Sequence, residues 1–289
     1  MTELHSLIER VEALLTRIEH YIPQPPSAPD WTQVVACRWC QTHRQGYFQV
    51  IHHPHQIRLH DLGGIDTQKH LIERNTRQFL TRQPANNVLL WGARGTGKSS
   101  LIKALLNEYA TEGLRLIEVE KHDLIDLPVI VETLYQQPQR FIIFCDDLSF
   151  EHDDARYKAL KSVLDGSISA PPENILIYAT SNRRHLLPEY MSDNVATQYV
   201  EGEIHYGDAV EEKISLSERF GLWLSFYPFK QEDYLAIVYH WLQQLGVETF
   251  DSEAMRSAAL QWALMRGSRS GRSAWQFARD WAGRQGIIS

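Results

Sequence analysis

The stretch GARGTGKS, Gly92 to Ser99, constrains this chain more than any other. It fits the pattern G-x-x-x-x-G-K-[ST], between an apolar run that reads as a strand (NVLLW, 87–91) and a helical stretch from Ser99 to Ala110. Glycines let a backbone curl closely round an anion with its N–H groups turned inward. The helix that follows points its positive end at the same place. Lys98 is placed to reach the β- and γ-phosphates of a nucleotide, and Ser99 offers a hydroxyl to Mg²⁺. Gly92, Ala93, Arg94, Gly95, Thr96, Gly97, Lys98, Ser99 and Ser100 are therefore the candidate phosphate contacts. A chance match in this length is on the order of one per cent at average residue frequencies, which sets aside an ordinary glycine-rich turn.

A second signal must accompany the first. About fifty residues on, FIIFCDDLSF gives an apolar run, Cys145 and then the pair Asp146 and Asp147. A carboxylate at the end of an apolar strand can hold Mg²⁺ through water beside the phosphates, the part assigned to Asp146. Asp147 stands where a water-polarising base is needed. Cys145 reads as a buried strand residue.

The rest of the chain supplies the frame. LRLIEVE (114–120), FIIFCDD (141–147), NILIYATSN (174–182) and LWLSFYPF (222–229) read as further strands, and 123–136 and 153–165 as helices. Apolar strands alternating with helices predict an α/β fold: a parallel sheet covered on both faces, a three-layer αβα phosphate-loop core. From Gln231 onward the periodicity is helical, over 231–245, 252–265 and 272–284, and predicts a small helical lid. Trp241, Trp262, Trp275 and Trp281 fall there and read as core. Near the start, Leu4, Ile8, Val11, Leu15, Ile18 and Ile22 step by three and four, as in a short coiled coil or a helix packed on its own domain. The stretch PQPPSAP (23–29) breaks that helix, and residues 31–60 read as a small extended adaptor region. The expected division is 1–30 helix and linker, 31–60 adaptor, 61–229 nucleotide-binding core and 230–289 lid.

With these motifs in view, the chain resembles the AAA+ ATPases over residues 60–289. The stretches that carry the resemblance are NNVLLWGARGTGKSSLIKALL, FIIFCDDLSFE, YATSNRRHLLPE, LSERFGLWLSF and RGSRSGRSAWQFA. It is similar to a bacterial group of AAA+ ATP-binding proteins classed as a domain of unknown function. Similar pieces in similar order occur in clamp loaders and in a branch-migration motor. The resemblance implies ATP and Mg²⁺ as cofactors and ATP hydrolysis as the activity. It implies a polar sensor at Asn182, with Thr180 and Ser181 as competitors. It implies an arginine offered to a neighbouring subunit at Arg219, and a second-sensor arginine at Arg272, with Arg269 as the alternative. It implies adenine contacts at Leu62, Gly64 and Ile65. One residue departs from the family: a glutamate usually follows the metal-holding aspartate, and here Asp147 does. Its carboxylate is one methylene shorter, so the backbone must bring it closer or a further water must intervene.

Composition bears on partners and place. The net charge is −7 over 289 residues, which gives a phosphate backbone nothing to bind, and residues 189–218 hold eight acids and one lysine. That stretch shows no clear strand or helix. There is no run of about eighteen apolar residues, so no membrane partner is expected. Three cysteines and the absence of a signal-peptide pattern suggest a cytoplasmic protein. Cys37 and Cys40 with nearby histidines invite zinc, but ordinary thiols are the better reading. The expected function is an ATPase that assembles with copies of itself and remodels or loads a macromolecular partner, a protein before a nucleic acid. The alternatives are a slow nucleotide-dependent switch and a nucleic-acid loader of clamp-loader type.

Overall fold

The structure, a computed structural model, describes residues 28–42, 45–150, 154–166, 172–184, 186, 198–200, 203–205, 216–247 and 252–288, with residues 5, 10–12 and 14 near the start. In chain order the elements are β1 (Ala36–Thr42), β2 (Gln45–Val50), α1 (Asp66–Leu80), β3 (Val88–Gly92), α2 (Lys98–Tyr109), β4 (Leu114–Glu118), α3 (Leu127–Leu134) and β5 (Arg140–Cys145). They continue with α4 (Ala155–Asp165), β6 (Ile175–Ser181), β7 (Gln198–Val200), β8 (Glu203–His205), β9 (Leu222–Phe226), α5 (Gln231–Gln244), α6 (Ser252–Met265) and α7 (Gly271–Ile288).

Seven strands form one sheet in the order β2-β1-β4-β5-β6-β3-β9. Every pairing but β1 with β2 is parallel. The inner strands are buried on both faces, so they read as unbroken apolar runs rather than alternating ones. Alternate residues still point to opposite faces. Val88, Leu90, Ile142 and Phe144 join one core with Ile72 and Phe79 of α1, Leu101 and Leu105 of α2, and Tyr234 and Val238 of α5. Leu89, Phe141, Ile143 and Cys145 join the other with Leu127 and Ile130 of α3 and Tyr157 and Leu160 of α4. The fold is the three-layer αβα arrangement, with α5, α6 and α7 as a helical lid.

Several features differ from the sequence reading. The extended stretch within 31–60 does form strands, but β1 pairs with β4 and extends the main sheet. The sequence pattern does not mark 66–80, where α1 stands; it turns Ile72, Asn75, Thr76 and Phe79 inward at helical spacing. The buried Asn75 obscures that stripe. Its amide nitrogen donates to Asn86 O (2.9 Å) and Tyr178 Oη (3.1 Å), which satisfies it inside the core. Within the acidic stretch, β7 and β8 pair as antiparallel strands of three residues each. Runs so short carry no periodicity to detect. Cys37 and Cys40 are three residues apart on β1, so they face opposite sides of the sheet and do not converge on one ion. Most of the predicted N-terminal helix lies outside the described residues; His5, Arg10, Val11, Glu12 and Leu14 are helical, and Val11 and Leu14 are exposed. Among the described residues no helix is long and apolar enough to cross a membrane.

Candidate functional site

Strand order builds the site. β6 lies between β3, which ends in the phosphate loop, and β5, which ends in the acid pair. Trp91 pairs with Ser181 and Cys145 with Ala179, so the three strands finish together at one edge. Side chains at the end of β6 therefore sit between Lys98 and the aspartates. Edges of this kind, where neighbouring strands leave in different directions, form ligand crevices in open α/β sheets.

The loop is closed by its own groups. Ala93 N donates to Phe226 O on β9 (2.9 Å), and Thr96 Oγ1 donates to Ala93 O (2.8 Å). The Lys98 side chain is buried, and its ammonium donates to Gly92 O and Ala93 O (both 2.8 Å) and to Asn182 Oδ1 (3.3 Å). Burial pulls the Lys98 pKa below its ordinary value. The Asp147 and Asp146 carboxylates oppose that, while the Arg94 and Arg272 charges add to it. An anion bound in the loop would favour the charged form of Lys98.

The acid pair is held by β6. Ser99 Oγ donates to Asp146 Oδ1 (2.6 Å), and Thr180 Oγ1 donates to the same oxygen (2.5 Å). Thr180 Oγ1 also accepts from the Asp147 backbone N–H (2.8 Å), and Asn182 Nδ2 donates to Asp147 Oδ1. Asn182 thus touches both Lys98 and Asp147, while Ser181 is buried and donates to Leu148 O (2.7 Å). Ser99 and Asp146 bring two hard oxygens together beside the loop, a donor pair that fits Mg²⁺. Cys145 is enclosed in the core, and burial pushes its pKa to about 12.

The lid closes over the loop. Arg272 N donates to Gly95 O (3.3 Å) at the start of α7. Gly95 has φ +75°, and a Cβ there would lie 2.9 Å from Ser270 Oγ, so both backbone conformation and space require glycine. A cleft of about 840 Å³ runs from the acid pair to the lid. Arg94, Gly95, Thr96, Gly97, Lys98, Ser99, Ser100, Asp146, Asp147, Thr180, Asn182 and Arg272 line its phosphate end. Leu62, Ile65, Ile237, Trp241 and Trp275 line it as well, Leu62 and Ile65 beside Gly97.

Some expectations are displaced. Gly64 does not line the cleft; the space for a side chain there is taken by Phe229, and the neighbouring Gly63 faces the cleft instead. Trp241 packs against the core and, with Trp275, also lines the cleft. Their rings meet edge to face at 4.6 Å in the cleft wall. Helical periodicity marks an apolar face but does not say whether a sheet or a cleft lies against it. Arg269 is engaged through its backbone oxygen, which accepts from Phe229 N (3.2 Å). His240 of α5 meets Asp61 Oδ1 (3.1 Å), a contact between lid and core that sequence spacing did not reveal.

Arg219 is elsewhere. β9 runs parallel to β3 and Leu222 pairs with Val88, so Arg219 precedes the starts of the strands, at the end opposite Gly92. Four strand steps of about 3.3 Å put those ends roughly 13 Å apart. Arg219 Nε donates to Asp165 Oδ1 at the end of α4. Its guanidinium is on a different surface from its own phosphate loop.

A family model described as Protein of unknown function (DUF815) matches residues 32–285, and the chain belongs to that family. Among solved structures it is similar to the RuvB Holliday junction branch migration motor of Thermotoga maritima, at 15% identity and a TM-score of 0.51, over 78% of this chain and 64% of that one. A single-substitution variant of the same motor matches at 17% identity and a TM-score of 0.50, over 77% and 64%. This chain spans less than two thirds of those structures. The likeness shows the fold, a three-layer αβα arrangement with a phosphate loop.

Proposed function

We propose that this DUF815 member binds Mg-ATP between its sheet edge and its lid and hydrolyses it. The observation that carries the reading is one hydrogen-bonded chain at the sheet edge. It runs from Lys98 through Asn182 to Asp147, and from Ser99 to Asp146. Lys98 and the loop N–H groups would hold the β- and γ-phosphates, with Arg272 reaching them from the lid. Ser99 would hold Mg²⁺ directly and Asp146 through water; the ion neutralises charge on the phosphate oxygens when bound. Asp147 would accept the proton of the attacking water, oriented by Asn182. Leu62, Ile65, Trp241 and Trp275 would enclose the base. Arg219, remote from its own loop, would serve a neighbouring subunit's site, which makes the active form a homo-oligomer.

The work done with ATP is remodelling or loading of a macromolecular partner in the cytoplasm. A net charge of −7 favours a protein client over nucleic acid. A second reading, a slow switch that assembles on ATP, is favoured by Asp147, whose reach is shorter than that of a glutamate. Calorimetry and phosphate release test the first reading. Lys98→Ala should weaken Mg-ATP binding roughly tenfold to a hundredfold, as expected for about 1.5–3 kcal/mol from a hydrogen bond to a charged group, and should abolish turnover. Unchanged affinity and turnover would remove the phosphate-loop assignment. Tight binding by the unaltered protein with negligible phosphate release at every protein concentration would favour the switch.

A further inference from the structure

Asp147 and Arg82 are the described non-glycine residues with positive φ, and Asp147 has φ +52° at the phosphate end of the cleft. In that region Cβ crowds the following carbonyl, a cost that aspartate and asparagine tolerate better than longer side chains. Something must hold the backbone there. The Asp147 N–H donates to Thr180 Oγ1 (2.8 Å), and Leu148 N donates to Thr180 O (2.7 Å). Ser181 Oγ donates to Leu148 O (2.7 Å). Residues 147 and 148 are therefore fastened to β6 on both sides of the turn. Thr180 is 1% exposed, so water does not compete for its hydroxyl. The same hydroxyl donates to Asp146 Oδ1 (2.5 Å), leaving no hydrogen of its own for any other acceptor. One hydroxyl thus orders two neighbouring carboxylates: it orients Asp146 directly and fixes the backbone that carries Asp147.

We propose that Thr180 is a positioning residue that locks Asp147 in the left-handed conformation, and that this turn is what lets an aspartate occupy the place of the longer glutamate. The inference rests on the hydrolytic reading of the site and adds a reason for its unusual acid. In an extended or helical backbone the Asp147 carboxylate would be displaced from Asn182. In the left-handed turn it accepts from Asn182 Nδ2, which also contacts the Lys98 ammonium through its oxygen. Valine is close in shape to threonine and lacks the hydroxyl, so Thr180→Val removes both the donor and the acceptor. Serine keeps them.

The test compares steady-state ATP hydrolysis by the full chain, Thr180→Val, Thr180→Ser and Asp147→Glu, with Mg²⁺ titrations of ATP binding alongside. Thr180→Val should lower kcat about tenfold to a hundredfold, the usual effect of losing a partner behind a metal-holding group. KM for ATP at saturating Mg²⁺ should barely change, half-saturating Mg²⁺ should rise, and Thr180→Ser should recover most of the loss. Asp147→Glu should be slower than the unaltered protein, because a longer side chain leaves the left-handed turn or overshoots the site. Equal rates for Thr180→Val and the unaltered protein would overturn the proposal, as would equal losses in valine and serine variants. A faster Asp147→Glu would overturn it independently, even where the valine variant does not fold. Absence of hydrolysis in the unaltered protein would instead remove the hydrolytic reading. The role of Thr180 would then be decided by whether valine, and not serine, shifts the Mg²⁺ titration.

Discussion

Single residues in this chain answer to two demands at once, a backbone conformation and a contact. Gly92 shows both. Its φ is +130°, and a Cβ there would lie 2.0 Å from Phe226 O, a backbone atom of β9 that also accepts the Ala93 N–H. Neither partner can move without parting β3 from β9 where the phosphate loop leaves the sheet. Gly92→Ala should therefore destabilise the fold by about 1–3 kcal/mol from backbone strain alone, with the clash adding to it. Urea unfolding that matches the unaltered protein would show the loop to be looser than drawn. Asp147 was legible as the departure from the family pattern, but its left-handed turn was not, because φ is set by Thr180, thirty-three residues away. Asn182 was suggested by the family resemblance alone, because Thr180 and Ser181 just before it are polar too and no local pattern separates the three. Gly64 came from the family resemblance, which does not say which of two adjacent glycines faces the cleft; Gly63 does.

At the scale of elements, the sequence discloses what is periodic and apolar. β3, β5 and β6 announce themselves because burial on both faces leaves them unbroken. β1 and β2 mix Arg38, Gln41, Gln45 and Gln49 with their buried residues because they form the margin of the sheet, β2 at its edge and β1 beside it, so their place in the main sheet depends on a pairing of β1 with β4 that no local pattern encodes. Strand order is equally silent in the sequence, yet it puts Asn182 beside Lys98. The lid helices were legible as helices, but the cleft side of their apolar faces was not. α5 and α7 bring Trp241 and Trp275 together, edge to face, in the wall of the cleft that Leu62 and Ile65 also line. If that wall encloses the base, nucleotide should change the intrinsic fluorescence. Trp275→Ala should then weaken ATP by about 1–3 kcal/mol, the usual worth of a base–aromatic contact. Its affinity for inorganic tripolyphosphate, which has no base, should stay as it was. An equal loss for both ligands would mean that Trp275 supports the lid rather than the base.

The whole molecule divides the residues proposed for hydrolysis between two surfaces. The phosphate loop, acid pair and Arg272 lie at the ends of the strands, while Arg219 lies where they begin, paired with Asp165. A rigid sheet cannot bring these ends together, so Arg219 can act on a γ-phosphate only if that phosphate is held by another copy. Arg suits that task because its guanidinium stays charged and presents a planar fork of donors. Such an arginine is worth roughly 10³ to 10⁵ in rate when supplied from outside the site. Turnover per chain should therefore rise with protein concentration until assembly is complete. Arg219→Ala should bind Mg-ATP as the unaltered chain does and hydrolyse it slowly. Lys98→Ala should fail for the opposite reason, keeping its arginine and losing its pocket. Mixed in equal amounts, the two dead variants should regain activity, since roughly a quarter of randomly formed head-to-tail interfaces join an intact loop to an intact arginine. Removing a charge gives a control on the contact at home: Asp165→Ala should remove that ion pair without disabling either surface, and should not lower turnover below that of Arg219→Ala. No recovery in the mixture, with mixed oligomers shown to form by light scattering and cross-linking, would mean that the site is complete within one chain and that Arg219 serves only its pairing with α4.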